Sequence, residues 1–266
     1  MKILVLGAGG IGGVFGGRLA ESGSDVTFLV REKRFEQLKV KGLQVESQFG
    51  NLTLQVNAKL QAEIEPIYDL VLLTCKAFDL PSAINSIRPA INGKTAILPL
   101  LNGLAHMDAL NNAFGNKNVL GGTAKMQVTL TPTGIVKQLN DWQTITFGEQ
   151  DGKDSIRTNE LLSMFSKTSI EAKISQNITR DMWLKIVHLA TVAGMTCLMR
   201  ANIGEIVRTP EGSEFLKKFL LINAEIAAHA GYRPDEKFLQ TYLELFLQKD
   251  SMYEASMQRD LEKGGQ

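Results

Sequence analysis

Three glycines in the run Gly7-Ala8-Gly9-Gly10-Ile11-Gly12 carry the clearest chemical signal in this 266-residue sequence. An apolar segment, Ile3 to Leu6, leads into them, and a helical pattern through Val14, Phe15, Leu19 and Ala20 follows. In such a strand, turn and helix, Gly7 permits the tight turn, Gly9 lets the backbone approach a pyrophosphate, and Gly12 lets helix and strand pack closely. Ala8, Gly10 and Ile11 complete the cradle, and the unpaired N–H groups of the helix start face the phosphates. The spacing points to a bound dinucleotide.

About 20 residues further on, at the end of the next strand, an NAD site usually carries an acid for the ribose hydroxyls. This chain reads Leu29-Val30-Arg31-Glu32-Lys33-Arg34 instead. Arg31 stands where a guanidinium pairs with the 2′-phosphate of NADP, with Lys33 or Arg34 adding charge. NADP is therefore expected over NAD; Glu32 is the NAD-type alternative if the strand ends one residue later.

The elements that must position these groups follow from pattern. Ile3 to Leu6, Val26 to Val30, Leu70 to Thr74 and Thr95 to Leu98 read as strands buried on both faces, and the amphipathic segments between them make βαβ units of a parallel sheet. Gly42 to Val56 alternates around Gly50-Asn51 and predicts a hairpin. Val119 to Gly148 predicts antiparallel strands added to the sheet, followed by a helix over 154–167 and a strand over 169–174. From Asn177 the periodicity is helical throughout, with Gly231 and Pro234 marking a stop and restart. The expected fold is α/β: a Rossmann-like dinucleotide-binding domain over 1–175, then an all-helical domain over 176–266.

Composition narrows the class. With 29 basic and 28 acidic residues the net charge is +1, so no overall field recruits nucleic acid or an anionic membrane. No unbroken apolar run reaches the roughly 18 residues of a membrane span, and the N-terminus lacks the pattern of a signal peptide. Cys75 and Cys197 fit no metal spacing and read as reduced thiols, so a cytoplasmic protein without a metal is expected.

Several segments together resemble the ketopantoate reductase (2-dehydropantoate 2-reductase) family. They are Gly7 to Gly12, Leu73-Thr74-Cys75-Lys76-Ala77, Leu101-Asn102-Gly103-Leu104, Trp183-Leu184-Lys185, Arg200 with Ile203-Gly204, and Ser256-Met257 with Asp260. The resemblance implies an NADPH-dependent reductase of a 2-oxo acid in pantothenate biosynthesis, or of a related substrate. It implies that Lys185 is the general acid, that Lys76 and Asn102 face the cofactor and reaction centre from two strand ends, and that Ser256 binds substrate. A lysine suits that role because its charge stabilises a developing alkoxide.

The chain also departs from the family's pattern. Asparagines four and eight residues after the lysine are replaced by Leu189 and Ala193, and a third by Ile203. Loss of hydrogen-bonding partners favours a more apolar substrate than ketopantoate. His106 and His188 are the nearby polar groups, each read first as a structural histidine. The family's glutamate, twelve residues after Ser256, would fall past Gln266, so the C-terminal part is expected to be truncated. Two alternatives stay open: a non-catalytic NADP(H)-binding regulator, and a 3-hydroxyacid dehydrogenase-like enzyme. The helical half leaves room for a homodimer, with no interface signature to specify it.

Overall fold

The computed structural model describes residues 1–262 and 264, and within it the chain forms two compact units, Met1–Thr179 and Arg180–Gln266. In the first, strands β1 (Lys2–Leu6) and β2 (Asp25–Leu29) flank helix α1 (Gly10–Glu21), and α2 (Glu32–Lys41) follows. Next come β3 (Leu43–Glu46), β4 (Leu52–Leu54), β5 (Asn57–Lys59), β6 (Leu70–Leu73), α3 (Leu80–Ile87), β7 (Ala96–Pro99) and α4 (Ala105–Phe114). The unit continues through β8 (Gly121–Lys125), β9 (Val128–Leu130), β10 (Ile135–Gln138), β11 (Thr144–Gly148), α5 (Ile156–Phe165) and β12 (Glu171–Ile174).

Five strands make one parallel sheet in the order β5-β2-β1-β6-β7, with β1 paired to β2 through Leu4 and Thr27 and to β6 through Leu4 and Val71. Successive side chains of a strand point to opposite faces. Ile3 and Val5 accordingly enter one core with Phe15 and Leu19 of α1, while Leu4 enters a second with Ile87 and Leu110 from α3 and α4. The unbroken apolar run Ile3 to Leu6 of β1 is thus what a sheet covered by helices on both faces requires.

The hairpin of β3 and β4 forms, with Leu43 opposite Leu54. The strands between Val119 and Gly148 do not extend the parallel sheet, contrary to expectation. They build a four-stranded sheet, β4-β3-β10-β9, and a three-stranded one, β12-β11-β8. The reason lies in α1, whose second side also needs cover. Side chains built at Gly13 and Gly17 would meet Val136, Leu43 and Leu52 at 2.9 Å, so these helix glycines let the four-stranded sheet lie close against α1.

The second unit is helical: α6 (Ile178–Met199), which begins at the boundary, α7 (Ile203–Val207), α8 (Gly212–His229), α9 (Glu236–Phe246) and α10 (Ser256–Glu262). The helical pattern in the sequence runs from Ser256 to Lys263, and Lys263 lies outside the described residues. By length and composition α6 is long and apolar enough to cross a membrane. It nevertheless buries Val187, Val192 and Met195 in one core with Leu216, Leu220 and Phe246. A half-turn break after α6 puts Arg200 at φ 52°, and Gly204 then donates its N–H to the Ser251 carbonyl at 2.9 Å. Any side chain at Gly204 would strike the Lys249 and Ser251 carbonyls, which accounts physically for that glycine.

Candidate functional site

In the first unit the candidate groups gather at the carboxyl edge of the parallel sheet. Gly7 leaves β1 at φ +93° and donates its N–H to the Leu29 carbonyl at 2.9 Å, tying the turn to β2. Ala8 is buried beneath the turn. Gly9 is the extended residue at the head of α1 and supplies no side-chain cap, so the N–H groups of the first helical turn, from Gly10, Ile11 and Gly12, are left for a ligand. Thr74, at the end of β6, donates its hydroxyl to the Leu6 carbonyl at 2.8 Å and braces the turn from the other side. A side chain at Gly12 would collide with the Gly7 carbonyl and reach the Thr74 hydroxyl at 2.5 Å. The turn is therefore packed too closely to admit a side chain at Gly12, and its N–H donors fit the pyrophosphate of a dinucleotide.

Arg31 caps the start of α2 and is solvent-exposed, and its Nη2 donates to Asp79 Oδ1 at 2.8 Å. Lys33 is exposed. Arg34 turns inward: its Nε donates to the Ala8 carbonyl at 2.9 Å and its Nη1 to the Gly134 carbonyl at 2.8 Å. Burial pulls the Arg34 pKa below that of a free guanidinium. Arg34 thus holds the phosphate turn rather than joining an exposed basic cluster. Its spacing in Arg31-Glu32-Lys33-Arg34 gives no sign of this, because both carbonyls come from other parts of the fold.

Lys76 and Asn102 each stand three residues beyond a strand, after β6 and β7, which pair in parallel with Leu73 opposite Pro99. Both are exposed at the same sheet edge. Gly103, at φ +94°, turns the chain directly after Asn102. The strand order reverses between β1 and β6, the place where open α/β sheets bind ligands.

Cys75 lies between Thr74 and Lys76, half-buried, and burial reinforced by the Asp79 carboxylate pushes its thiol up to about 11. At pH 8 about 0.1% of it is thiolate. Alkylation of Cys75 by iodoacetamide is therefore expected to run about 100-fold slower at pH 8 than that of an unhindered free thiol, and to climb about tenfold per pH unit toward pH 11. Peptide mapping after timed labelling checks this; fast labelling of Cys75 at pH 8 contradicts it.

In the second unit Lys185, Leu189 and Ala193 recur at four-residue spacing along one face of α6, and all three are half-buried. Trp183 stacks on Tyr232 with ring centroids 5.8 Å apart and steadies the same turn. Ser256 is exposed at the start of α10, just after Ala255, whose N–H meets the Thr196 hydroxyl of α6 at 3.5 Å.

His188, on the same helix, enters an aromatic cluster. It stacks on Tyr242 at 4.5 Å and its Nε2 lies 2.9 Å from the Tyr253 hydroxyl, which burial pushes up to about 12. A histidine so enclosed is a core polar pair. His106 is likewise buried, on α4. Ile203 is fully buried, and its neighbour Asn202 spends its side-chain oxygen on the Glu205 N–H at 2.9 Å, capping α7. Ile203 has no side-chain amide in place of the asparagine the family pattern carries there, and the buried Asn202 amide nitrogen lies 3.8 Å from the Met252 sulfur.

Comparison with known proteins agrees over both units. The family model described as ketopantoate reductase PanE/ApbA matches residues 3–152, and its C-terminal counterpart matches residues 177–266. An oxidoreductase of Bacillus subtilis (strain 168), described as uncharacterized and called YkpB, is 34% identical over 264 residues, spanning 99% of this chain and 87% of that protein. The 2-dehydropantoate 2-reductase of Pyrococcus horikoshii is 25% identical over 265 residues, spanning 99% of this chain and 85% of that protein. Among solved structures, 2-dehydropantoate 2-reductase from Geobacter metallireducens GS-15 superposes with a TM-score of 0.91 at 28% identity, covering 100% of this chain and 88% of that one.

Proposed function

Because the chain belongs to the ketopantoate reductase family, a family of NAD(P)(H)-dependent oxidoreductases, we propose that it uses NADPH to reduce a 2-oxo acid to the 2-hydroxy acid. The observation that carries this reading is the backbone cradle from Gly7 to Gly12 at the carboxyl edge of the sheet, closed so tightly that Gly12 admits no side chain. When bound, NADPH supplies the hydride. Lys185 holds a proton at the carbonyl oxygen and releases it there as negative charge develops, so that oxygen becomes the hydroxyl of the product. Lys76 and Asn102 flank the same sheet edge and orient the ligands that reach it. Arg31 provides the guanidinium for the 2′-phosphate, which is the reason for choosing NADPH over NADH.

The substrate end is apolar where the family pattern is polar. Leu189 and Ala193 offer methyl groups along the face that follows Lys185, and an uncompensated hydroxyl against them is costly. A 2-oxo acid with an apolar side chain is the better match than ketopantoate itself.

The test is NADPH oxidation with ketopantoate and with 3,3-dimethyl-2-oxobutanoate, which is ketopantoate without its hydroxyl. The expected result is a kcat/KM about tenfold higher for the compound without the hydroxyl, and Leu189→Asn should move that ratio about tenfold back toward ketopantoate. A wild-type preference for ketopantoate removes the apolar assignment. Tight NADPH binding with no turnover across a wider 2-oxo acid panel removes the reductase assignment in favour of a non-catalytic binding protein.

A further inference from the structure

The acid that an NAD site carries after its second strand is absent at that position, where Arg31 stands instead. The fold supplies one from elsewhere. Asp79 lies in the connection from β6 to α3, 48 residues away in sequence, and its Oδ1 accepts the Arg31 Nη2 at 2.8 Å. In the sheet β1 lies between β2 and β6. Arg31 follows β2 and Asp79 follows β6, so their ion pair bridges the two strands that flank β1 and its phosphate turn. The Arg31 side chain is 80% exposed and that of Asp79 33%, so both remain open to a ligand arriving at this edge. Asp79 heads α3 without a side-chain hydrogen bond to the helix, and capping does not account for its carboxylate.

We propose that Asp79 is a second determinant of cofactor choice, opposing Arg31 and moving the site from strict NADPH use toward acceptance of NADH. This deepens the functional reading above and rests on it. The 2′-phosphate carries close to two negative charges at neutral pH and needs the guanidinium that Asp79 holds. Binding it either breaks the pair or places a phosphate beside a carboxylate, and both cost affinity. A free 2′-hydroxyl is different: it donates a hydrogen bond to the carboxylate, the role an acid after the second strand plays in NAD sites. The Arg31–Asp79 pair therefore serves either nucleotide, its cation facing a phosphate and its anion a hydroxyl.

The experiment is calorimetric titration of the full chain with NADP⁺ and with NAD⁺, at low and high salt, for wild type, Asp79→Asn and Arg31→Met. The readout is the ratio of the NAD⁺ to the NADP⁺ dissociation constant. Asp79→Asn is expected to raise the ratio about tenfold, with a smaller rise at high salt because the exposed charges are screened. Arg31→Met is expected to lower it about tenfold or more. If Arg31→Met leaves the ratio unchanged, the NADPH reading of Arg31 fails. If Arg31→Met lowers it but Asp79→Asn leaves it unchanged or lowers it too, Asp79 only holds Arg31 in place, and the proposal is overturned. Asn retains the shape of Asp, and circular dichroism of each variant confirms the fold.

Discussion

Replacing Lys185 by methionine is expected to lower kcat for 2-oxo acid reduction by about 1,000-fold, with the dissociation constant for NADPH held within about threefold. The size follows from what a positioned general acid contributes, roughly 100- to 10,000-fold, together with the loss of a cation beside the developing alkoxide. Methionine keeps the length and apolar stem of lysine and good helix propensity, so α6 and the stacked pair of Trp183 and Tyr232 should survive. Cofactor affinity is the control, because the phosphate turn belongs to the first unit, Met1–Thr179, and Lys185 to the second. Stopped-flow single turnovers, read beside fluorescence titration of NADPH, separate the two effects. A variant that loses NADPH binding and turnover together would show that Lys185 acts through structure; one that keeps wild-type kcat would remove it from the chemistry.

Gly12→Ala is expected to weaken NADPH binding at least about 100-fold and to lower Tm by several degrees. The added methyl would overlap the Gly7 carbonyl and lie 2.5 Å from the Thr74 hydroxyl. Gly7 is held by its own N–H bond to Leu29, and Thr74 by its bond to Leu6, so neither yields without breaking the brace on the turn. Overpacking of this kind costs about 1–3 kcal/mol in stability, and the displaced backbone loses the alignment of the helix N–H groups. Gly17→Ala is the control. Its methyl would meet the ends of the Leu43 and Leu52 side chains at 2.9 Å, on the same helix but away from the turn. It should cost stability while leaving NADPH affinity within about threefold. Equal loss of affinity in the two variants would show that helix packing, not the turn, limits binding.

The glycine turn between β1 and α1 was legible from residues alone because its signal is local. Six consecutive positions, a preceding apolar strand and a following helix pattern are all contained in the first 20 residues. The strands of the parallel sheet were legible for a related reason: a strand covered on both faces must be largely apolar at successive positions, as β6 and β7 are throughout, β1 is from Ile3 onward, and β2 is apart from Asp25 and Thr27. The long helix α6 announced itself through its apolar length, and Lys185, Leu189 and Ala193 share its face by helical spacing.

The placement of the later strands was not legible. Alternation in 119–148 specifies extended chain, but it does not say which edge a strand joins, because that depends on surfaces brought in from elsewhere. Here α1 presents a second side, made shallow by Gly13 and Gly17, and the hairpin of β3 and β4 settles on it with β10. Two of the helix glycines thus serve sheet packing, a role the dinucleotide motif alone does not disclose.

The same division runs through the candidate site. The sequence by itself determined that a glycine-rich turn joins the first strand to the first helix, that Arg31 rather than an acid follows the second strand, and that apolar residues follow Lys185 on its helix face, since each statement concerns residues within a few turns of one another. Only the tertiary structure decided what the neighbouring charges do. It turned Arg34 inward to the Ala8 and Gly134 carbonyls, enclosed His188 among aromatic rings, and set Asp79 against Arg31. A charge takes its meaning from its partners and its exposure, and those partners lie as far as 100 residues away.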